Sequence, residues 1–466
     1  MMLRCIRCGS EFPNYPLRSN CEKCGGTLEV AADLPEAGKI RFSGPQGFWR
    51  YKQMLPPVKH VVSLGEGGTP LHKAERLAKA IGLKELYLKD ETRNPTHSYR
   101  DRAAAFLTSD AIDHGFEALI CATNGNMGAS LAAYSAREGL ICHVLVPKVV
   151  DVGKLAQILA YDAAIEEFGD IVDDSICKAE AVAKETGWYQ ATAELNPLVV
   201  EAQKTISYEV HEQLGVPEWI LVPMGSGGTI YSLWKGFKEL KQLGITKSLP
   251  KMVEIQPEGC ASIINAFTEG DSKSEKTCNP TTRALAILVG NPLQSDLALK
   301  AIRESNGLAL TVSDQEILAA ELQVAKLEGV FAEPASAATV AALEKLVNEG
   351  KIAIDSSVAC LITGSGLKAT DVLQALNKRQ KTAGLGLEIS TKEKILRILS
   401  EKDTYGYDLW KQLGKIMTRA AVYQHLNELS EKGLIVGYEE SGKKFFRISE
   451  HGKRALAAFD DLKLLM

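Results

Sequence analysis

Between Leu64 and about Lys378 the chain alternates short apolar runs with Ala-rich stretches of helical spacing; the runs include Leu119 to Cys121, Cys142 to Pro147, Trp219 to Pro223 and Val358 to Thr363. Continuous apolar runs suit strands covered on both faces, and their alternation with helices predicts βαβ units around a mostly parallel sheet. Each run leads into a glycine- or proline-bearing turn and then a helix. The turns therefore fall at the carboxyl ends of strands, where open α/β sheets bind ligands.

Three of these turns are rich in glycine and small hydroxyls: Thr123 to Gly128, Gly225 to Thr229, and Thr363 to Gly366. Such a turn points backbone N–H groups and the positive end of a helix dipole at one spot, which suits a phosphate or carboxylate. Any one of them serves equally well as a helix cap. Three in one chain, together with the segments below, shift the reading toward ligand binding.

At 466 residues the chain exceeds what one core usually supports, so several domains are expected. A net charge of -4 gives no bulk attraction to nucleic acid or anionic membrane, so any DNA contact must be local. No apolar run reaches the roughly 18 residues needed to span a bilayer, and cysteines stand where a signal peptide would be apolar. A cytoplasmic protein without membrane contact is expected.

Cys5, Cys8, Cys21 and Cys24 form two C-x-x-C knuckles, each followed by glycine. Their spacing predicts a zinc ribbon over residues 1–30 with tetrahedral Zn²⁺, structural because four thiolates leave no open position. The other six cysteines, Cys121, Cys142, Cys177, Cys260, Cys278 and Cys360, are read as reduced thiols. The Ala31 to His60 stretch, with Phe48, Trp49, Arg50 and Tyr51, reads as an arm packed on the core.

Several ordered segments then match one family: Gly65-Glu66-Gly67-Gly68-Thr69-Pro70-Leu71, Lys89-Asp90-Glu91, Asn94-Pro95-Thr96, Ala122 to Ser130, Val222 to Gly228, Glu333-Pro334-Ala335-Ser336 and Thr363 to Lys368. In these the chain resembles the threonine synthases, fold-type-II pyridoxal-phosphate enzymes of tryptophan synthase β-like fold, over about Phe48 to Leu376. The resemblance implies that Gly225, Ser226, Gly227, Gly228 and Thr229 cradle the cofactor phosphate. It also implies that Asn126 faces the pyridoxal hydroxyl, that Thr363 meets the ring nitrogen, and that Thr123, Asn124, Gly125, Asn126 and Met127 hold the substrate carboxylate. The cysteine knuckles are similar to those ahead of the core in archaeal-type members.

One position departs from the family. Its Schiff-base lysine lies between serine-aromatic and aspartate-arginine, and here the segment reads Ser98-Tyr99-Arg100-Asp101-Arg102. A guanidinium with a pKa above about 12 cannot offer the neutral amine that attachment needs, nor shuttle protons near neutral pH. His97, where the family often has glycine, is a second departure; it is read as packing at the rim or as a donor to an anion. Lys89 is the nearest other lysine, but its Lys-Asp-Glu setting already has a family counterpart.

Residues 31–378 thus read as the core and residues 379–390 as a linker, with helical spacing resuming near Thr391. From 391 to 466 three short helices, the third capped by Thr418, lead into a strand pair and a final helix, which resembles winged-helix transcriptional regulators. From Glu388 onward 14 Lys and Arg face 12 Asp and Glu, only mildly basic. Thr418, Arg419, Tyr423, Gln424, His425, Lys443 and Lys444 are the expected DNA-facing residues, with protein docking as the other use of such a module.

The leading expectation is a DNA-binding transcriptional regulator, working as a homodimer, whose core senses a phosphorylated amino acid or an adduct of pyridoxal phosphate with an amino acid. The alternative is an active pyridoxal-phosphate-dependent threonine synthase, converting O-phosphohomoserine to threonine and phosphate, or a related lyase, with an appended regulatory domain.

Overall fold

The computed structural model describes residues 2–15, 17–31, 34–36, 38, 40–369, 385–413, 418–440 and 443–456. It falls into two compact units, Met1–Asp371 and Val372–Met466.

The first unit opens with an antiparallel ribbon, β1 (Met2–Cys5), β2 (Glu11–Pro13) and β3 (Leu28–Ala31), in the order β2-β1-β3. Alternation in β1 buries Leu3 and Cys5 and leaves Met2 and Arg4 outward. Polar contacts seat the ribbon on the core: Thr27 Oγ1 donates to Asp296 at 2.6 Å, Tyr231 Oη to Glu29 at 2.7 Å, and Lys235 Nζ to the Val30 carbonyl at 2.7 Å. The arm packs as expected, through buried Phe48, Tyr51 and Met54.

Ten strands follow: β4 (Leu71–Lys73), β5 (Glu85–Asp90), β6 (Ala118–Ala122), β7 (Ile141–Val146), β8 (Ala164–Glu167), β9 (Tyr189–Gln190), β10 (Trp219–Pro223), β11 (Lys251–Pro257), β12 (Leu308–Val312) and β13 (Ser357–Ile362). They form a six-stranded sheet, β12-β11-β10-β13-β5-β4, parallel except for β4, and a parallel four-stranded sheet, β8-β7-β6-β9. The runs read from sequence as strands are β6, β7, β10 and β13, and every residue of β6 and β10 is buried, as helices on both faces require.

In the second unit helices Leu385–Glu401, Gly406–Gln412 and Arg419–Glu431 accompany β14 (Thr404–Tyr405), β15 (Ile435–Glu440) and β16 (Lys443–Ile448), an antiparallel sheet in the order β14-β16-β15. Ile395, Leu396, Leu399, Leu409, Val422, Leu426, Leu429 and Phe446 build its core. Thr418 Oγ1 accepts the Ala421 N–H at 3.2 Å, the cap expected of it. The first helix begins at Leu385, inside the stretch expected to be linker. Gly386 suggested a break there, but one glycine costs a helix only about 1 kcal/mol. Residues 379–384 of that linker lie outside the described residues.

Among the described residues no helix is long and apolar enough to cross a membrane.

Candidate ligand site

β6, β10 and β13 release their chains into the three glycine turns, and the turns meet around one cavity in the first unit. Gly225, Ser226, Gly227, Gly228 and Thr229 line it together, at the N-terminus of helix Gly228–Gln242. Gly227 sits at φ +110°, and a Cβ there would stand 2.3 Å from the Gln294 carbonyl oxygen, so only glycine fits. Asn126, Thr363, Thr123, Asn124 and Met127 share the wall. Gly125 does not line the cavity; at φ +113° it backs onto the Lys154 side chain.

Asn126 is oriented from behind. Its Nδ2 donates to both Glu333 oxygens at 3.1 Å, while its buried Oδ1 has no partner. Glu333 is in turn 3.5 Å from Lys154 Nζ, which Asp151 holds at 2.7 Å. Burial pulls the Lys154 ammonium down, but Glu333 and Asp151 outweigh it and hold its pKa above the ordinary value. Thr363 Oγ1 lies 2.9 Å from Ser336 Oγ. Gln203, also on the wall, has a buried Nε2 without a partner.

Arg100 begins helix Arg100–Asp113 and lines the cavity. The turn carrying it is stitched to the Thr363 loop: the Tyr99 N–H donates to the Thr363 carbonyl at 3.0 Å and the Ser365 N–H to the His97 carbonyl at 3.1 Å. The Arg100 guanidinium carbon lies 4.8 Å from the Tyr99 ring centre, and among the described residues no side-chain acceptor or carboxylate pairs with the guanidinium. Among the described residues lining the cavity it is the one cation, and no lysine is among them.

Two buried lysines from the matched segments, Lys89 and Lys368, are committed elsewhere. Lys89 Nζ donates to the Thr69 carbonyl, Glu209 and Gln213 at 2.7, 2.7 and 3.1 Å, using all three of its protons. It belongs to a buried quartet with Glu209, Arg102 and Glu91, in which Arg102 reaches Glu209 at 2.6 Å and Glu91 at 2.8 Å. That quartet braces the segment leading to Arg100. Lys368 is buried outside the cavity wall and donates to the Thr96 carbonyl at 2.8 Å; burial pushes its amine down to about 8.

His97 is exposed and is not among the residues lining the cavity. It sits at φ +62°, a left-handed conformation that costs a residue with a Cβ about 1 kcal/mol and that glycine adopts freely.

Four further wall residues escaped sequence reasoning: Glu194, Gln203, Gln294 and Tyr99. Glu194, Gln203 and Gln294 stand between recognised motifs, and Tyr99 lies in the Ser98 to Arg102 segment without a role of its own.

In the ribbon the four cysteine sulfurs lie within 4.8 Å of one another, with Cys5–Cys24 at 3.5 Å and Cys8–Cys21 at 3.7 Å. A tetrahedral ZnS₄ centre with bonds of about 2.3 Å needs sulfurs about 3.8 Å apart, so the four residues could hold such an ion. Gly9 and Gly25 close the knuckles at φ +72° and +68°.

In the second unit Arg419, Tyr423, Gln424 and Lys444 are exposed, as is Thr418. The Arg419 guanidinium stacks on Tyr407 and Trp410, 4.7 and 4.8 Å from their ring centres, and Gln424 Nε2 donates to Glu428 at 3.2 Å. His425 is half-buried, with a buried Nδ1 that has no partner. The Lys443 side chain lies outside the described residues.

A cavity at the carboxyl ends of parallel strands, walled by glycine turns, defines a protein of the fold-type-II pyridoxal-phosphate class. The family described as pyridoxal-phosphate dependent enzyme matches residues 62–364, and the transcriptional regulator PadR-like family matches residues 395–458. The threonine synthase of Methanosarcina acetivorans is 42% identical over 373 residues, covering 78% of this chain and 92% of that protein. That of Methanocaldococcus jannaschii is 40% identical over 410 residues, 86% of this chain and 100% of that protein. A threonine deaminase isoform from Solanum lycopersicum superposes with a TM-score of 0.59 at 20% identity, over 78% of this chain and 97% of that one, and maize serine racemase with 0.58 at 19%, over 67% and 92%; both share the fold. The chain belongs to the threonine synthase family of pyridoxal-phosphate dependent enzymes, and it carries a PadR-like winged-helix domain at its C-terminal end.

Proposed function

We propose that this chain is a ligand-sensing DNA-binding regulator, whose threonine synthase-family core holds its ligand without a covalent bond. The observation that carries the reading is the Arg100 guanidinium, unpaired and on the wall of a cavity to which no lysine contributes. Five N–H donors without a protein acceptor suit an anionic ligand.

The residues present fit pyridoxal phosphate at the glycine turn, the ring hydroxyl and the ring nitrogen, and do not fit it in attachment. The N–H groups of Gly225 to Thr229 would cradle the phosphate, the orphaned Asn126 Oδ1 would accept from the ring hydroxyl, and the Thr363 hydroxyl would meet the ring nitrogen. When bound, that group supplies an electron sink for charge at amino-acid carbons. Thr123, Asn124 and Met127, with Gly125 shaping their turn, would hold a carboxylate. The ligand is therefore a phosphorylated amino acid, pyridoxal phosphate, or its adduct with an amino acid. Arg100 adds binding, and a guanidinium supplies five donors and no acceptor for a proton from a substrate carbon.

Cys5, Cys8, Cys21 and Cys24 hold a structural zinc in this reading, which fastens the ribbon to the core. The exposed face of Thr418, Arg419, Tyr423 and Gln424, with Lys444 and Lys443 on the wing and His425 behind, meets DNA in the context of a cytoplasmic homodimer.

The second reading is a working threonine synthase that converts O-phosphohomoserine to threonine and phosphate, with the winged helix as an appended regulatory domain. The names of the relatives favour it, and Lys368, with its amine near 8, is the lysine it would call upon.

Mobility-shift measurements on fragments upstream of the chain's own gene and of threonine-pathway genes test the first reading. Binding that changes with pyridoxal phosphate, O-phosphohomoserine or threonine is expected. No binding under any condition would overturn it.

A further inference from the structure

The anion cup contains a carboxylate. Ser226 Oγ, the hydroxyl in the middle of the cup, donates to Glu194 Oε1 at 3.0 Å, and both residues line the cavity. A serine hydroxyl has one proton to give. While it serves Glu194 it cannot serve a phosphate oxygen. The other cup hydroxyl is engaged as well, since Thr229 Oγ1 lies 3.0 Å from Tyr99 Oη, but that pair leaves one proton free to point into the cup. Among the described residues Glu194 has no cation within salt-bridge reach, so a dianionic ligand arriving at the cup meets a carboxylate that no direct ion pair neutralises, with Arg100 elsewhere on the same wall.

We propose that Glu194 is an affinity-determining residue of this site, acting as a built-in occupant of the cup that a phosphate must displace from Ser226. The proposal rests on the reading of Gly225 to Thr229 as a phosphate cradle. It makes the site weak by construction for a phosphate-bearing ligand, so that occupancy follows ligand concentration instead of saturating, which is what a sensor requires and a tightly loaded enzyme does not. Binding then proceeds by exchange: Ser226 turns from Glu194 to a phosphate oxygen, and the freed carboxylate faces the cavity, where a ligand's ammonium group suits it.

Calorimetric titration of the full chain with 4-deoxypyridoxine 5′-phosphate and with 4-deoxypyridoxine tests this. Neither probe has an aldehyde, so surface lysines do not trap them. Glu194→Gln removes the charge with little change of shape, and Glu194→Ala removes the acceptor too, which guards against one variant failing to fold. Both are expected to bind the phosphorylated probe at least about tenfold more tightly than the parent, with no comparable gain for the unphosphorylated one. Equal or weaker affinity for the phosphorylated probe, with its preference over the unphosphorylated one intact, would overturn the role of Glu194 and leave the cradle standing. No preference for the phosphorylated probe in parent or variants would remove the cradle and the proposal together.

Discussion

The Tyr99 hydroxyl lies 3.0 Å from Thr229 Oγ1, joining the turn that presents Arg100 to the cup at the head of helix Gly228–Gln242. The two halves of the ligand site are thereby held in one register. Tyr99→Phe is expected to keep the fold and weaken binding of a phosphate-bearing ligand by roughly three- to tenfold, the worth of one hydrogen bond of about 1 kcal/mol. Titration with 4-deoxypyridoxine 5′-phosphate checks it.

Arg100→Lys restores an amine to the cavity wall. With pyridoxal phosphate present, the variant is expected to gain visible absorbance and, after borohydride, a covalent mass increment mapping to position 100. The parent protein gains neither at that position. Peptide mass spectrometry reads both.

Glu254 should make the protein less stable in base. It is fully buried on β11, neither carboxylate oxygen has a partner, and burial pushes its pKa up to about 8 from an ordinary 4.5. The folded state holds the proton that the unfolded state releases above about 4.5, so stability is greatest below that pH and falls as pH rises toward 8. Between pH 5 and 8 the loss is about 3 kcal/mol. Denaturant unfolding at the two pH values measures it, and Glu254→Gln is expected to flatten the difference.

If the four cysteines hold the proposed zinc, its removal loosens the ribbon first. Cys5→Ser or a strong chelator is expected to abolish zinc in elemental analysis and lower the unfolding temperature. Hydrogen exchange is expected to rise around Thr27 and Val30, whose contacts with Asp296 and Lys235 fasten the ribbon.

Lys444 is exposed on the wing. If it meets a phosphate, Lys444→Ala weakens binding alike across sequences and lowers the salt slope by about 1, whereas Gln424→Ala alters sequence preference. Mobility shifts at several salt concentrations separate the two.

The parallel strands β6, β7, β10 and β13, the three turns and the Thr418 cap were legible in sequence because each is local: an apolar run, a glycine, a hydroxyl before a helix; the division of the strands between two sheets, where one was expected, was not. So was the Arg100 departure, since it stands inside a short ordered motif. Glu194 was not legible, because its meaning comes from Ser226 thirty-two positions on. Neither was the orientation of Asn126, which is set by Glu333 from 207 positions away. Glu254 carries no local signal in the sequence, and its burial on β11 comes only from the packing around that strand. The early start of the Leu385 helix was hidden by a glycine the helix tolerates.

The most direct test of the central claim is phosphate release from O-phosphohomoserine by the pure chain supplied with pyridoxal phosphate, run beside Arg100→Lys and a protein-free blank. Release at the blank's rate by the parent protein, together with measurable binding of 4-deoxypyridoxine 5′-phosphate, is the predicted result. Catalytic release by the parent protein would contradict it, and would make the chain an enzyme with its amine at a position other than 100.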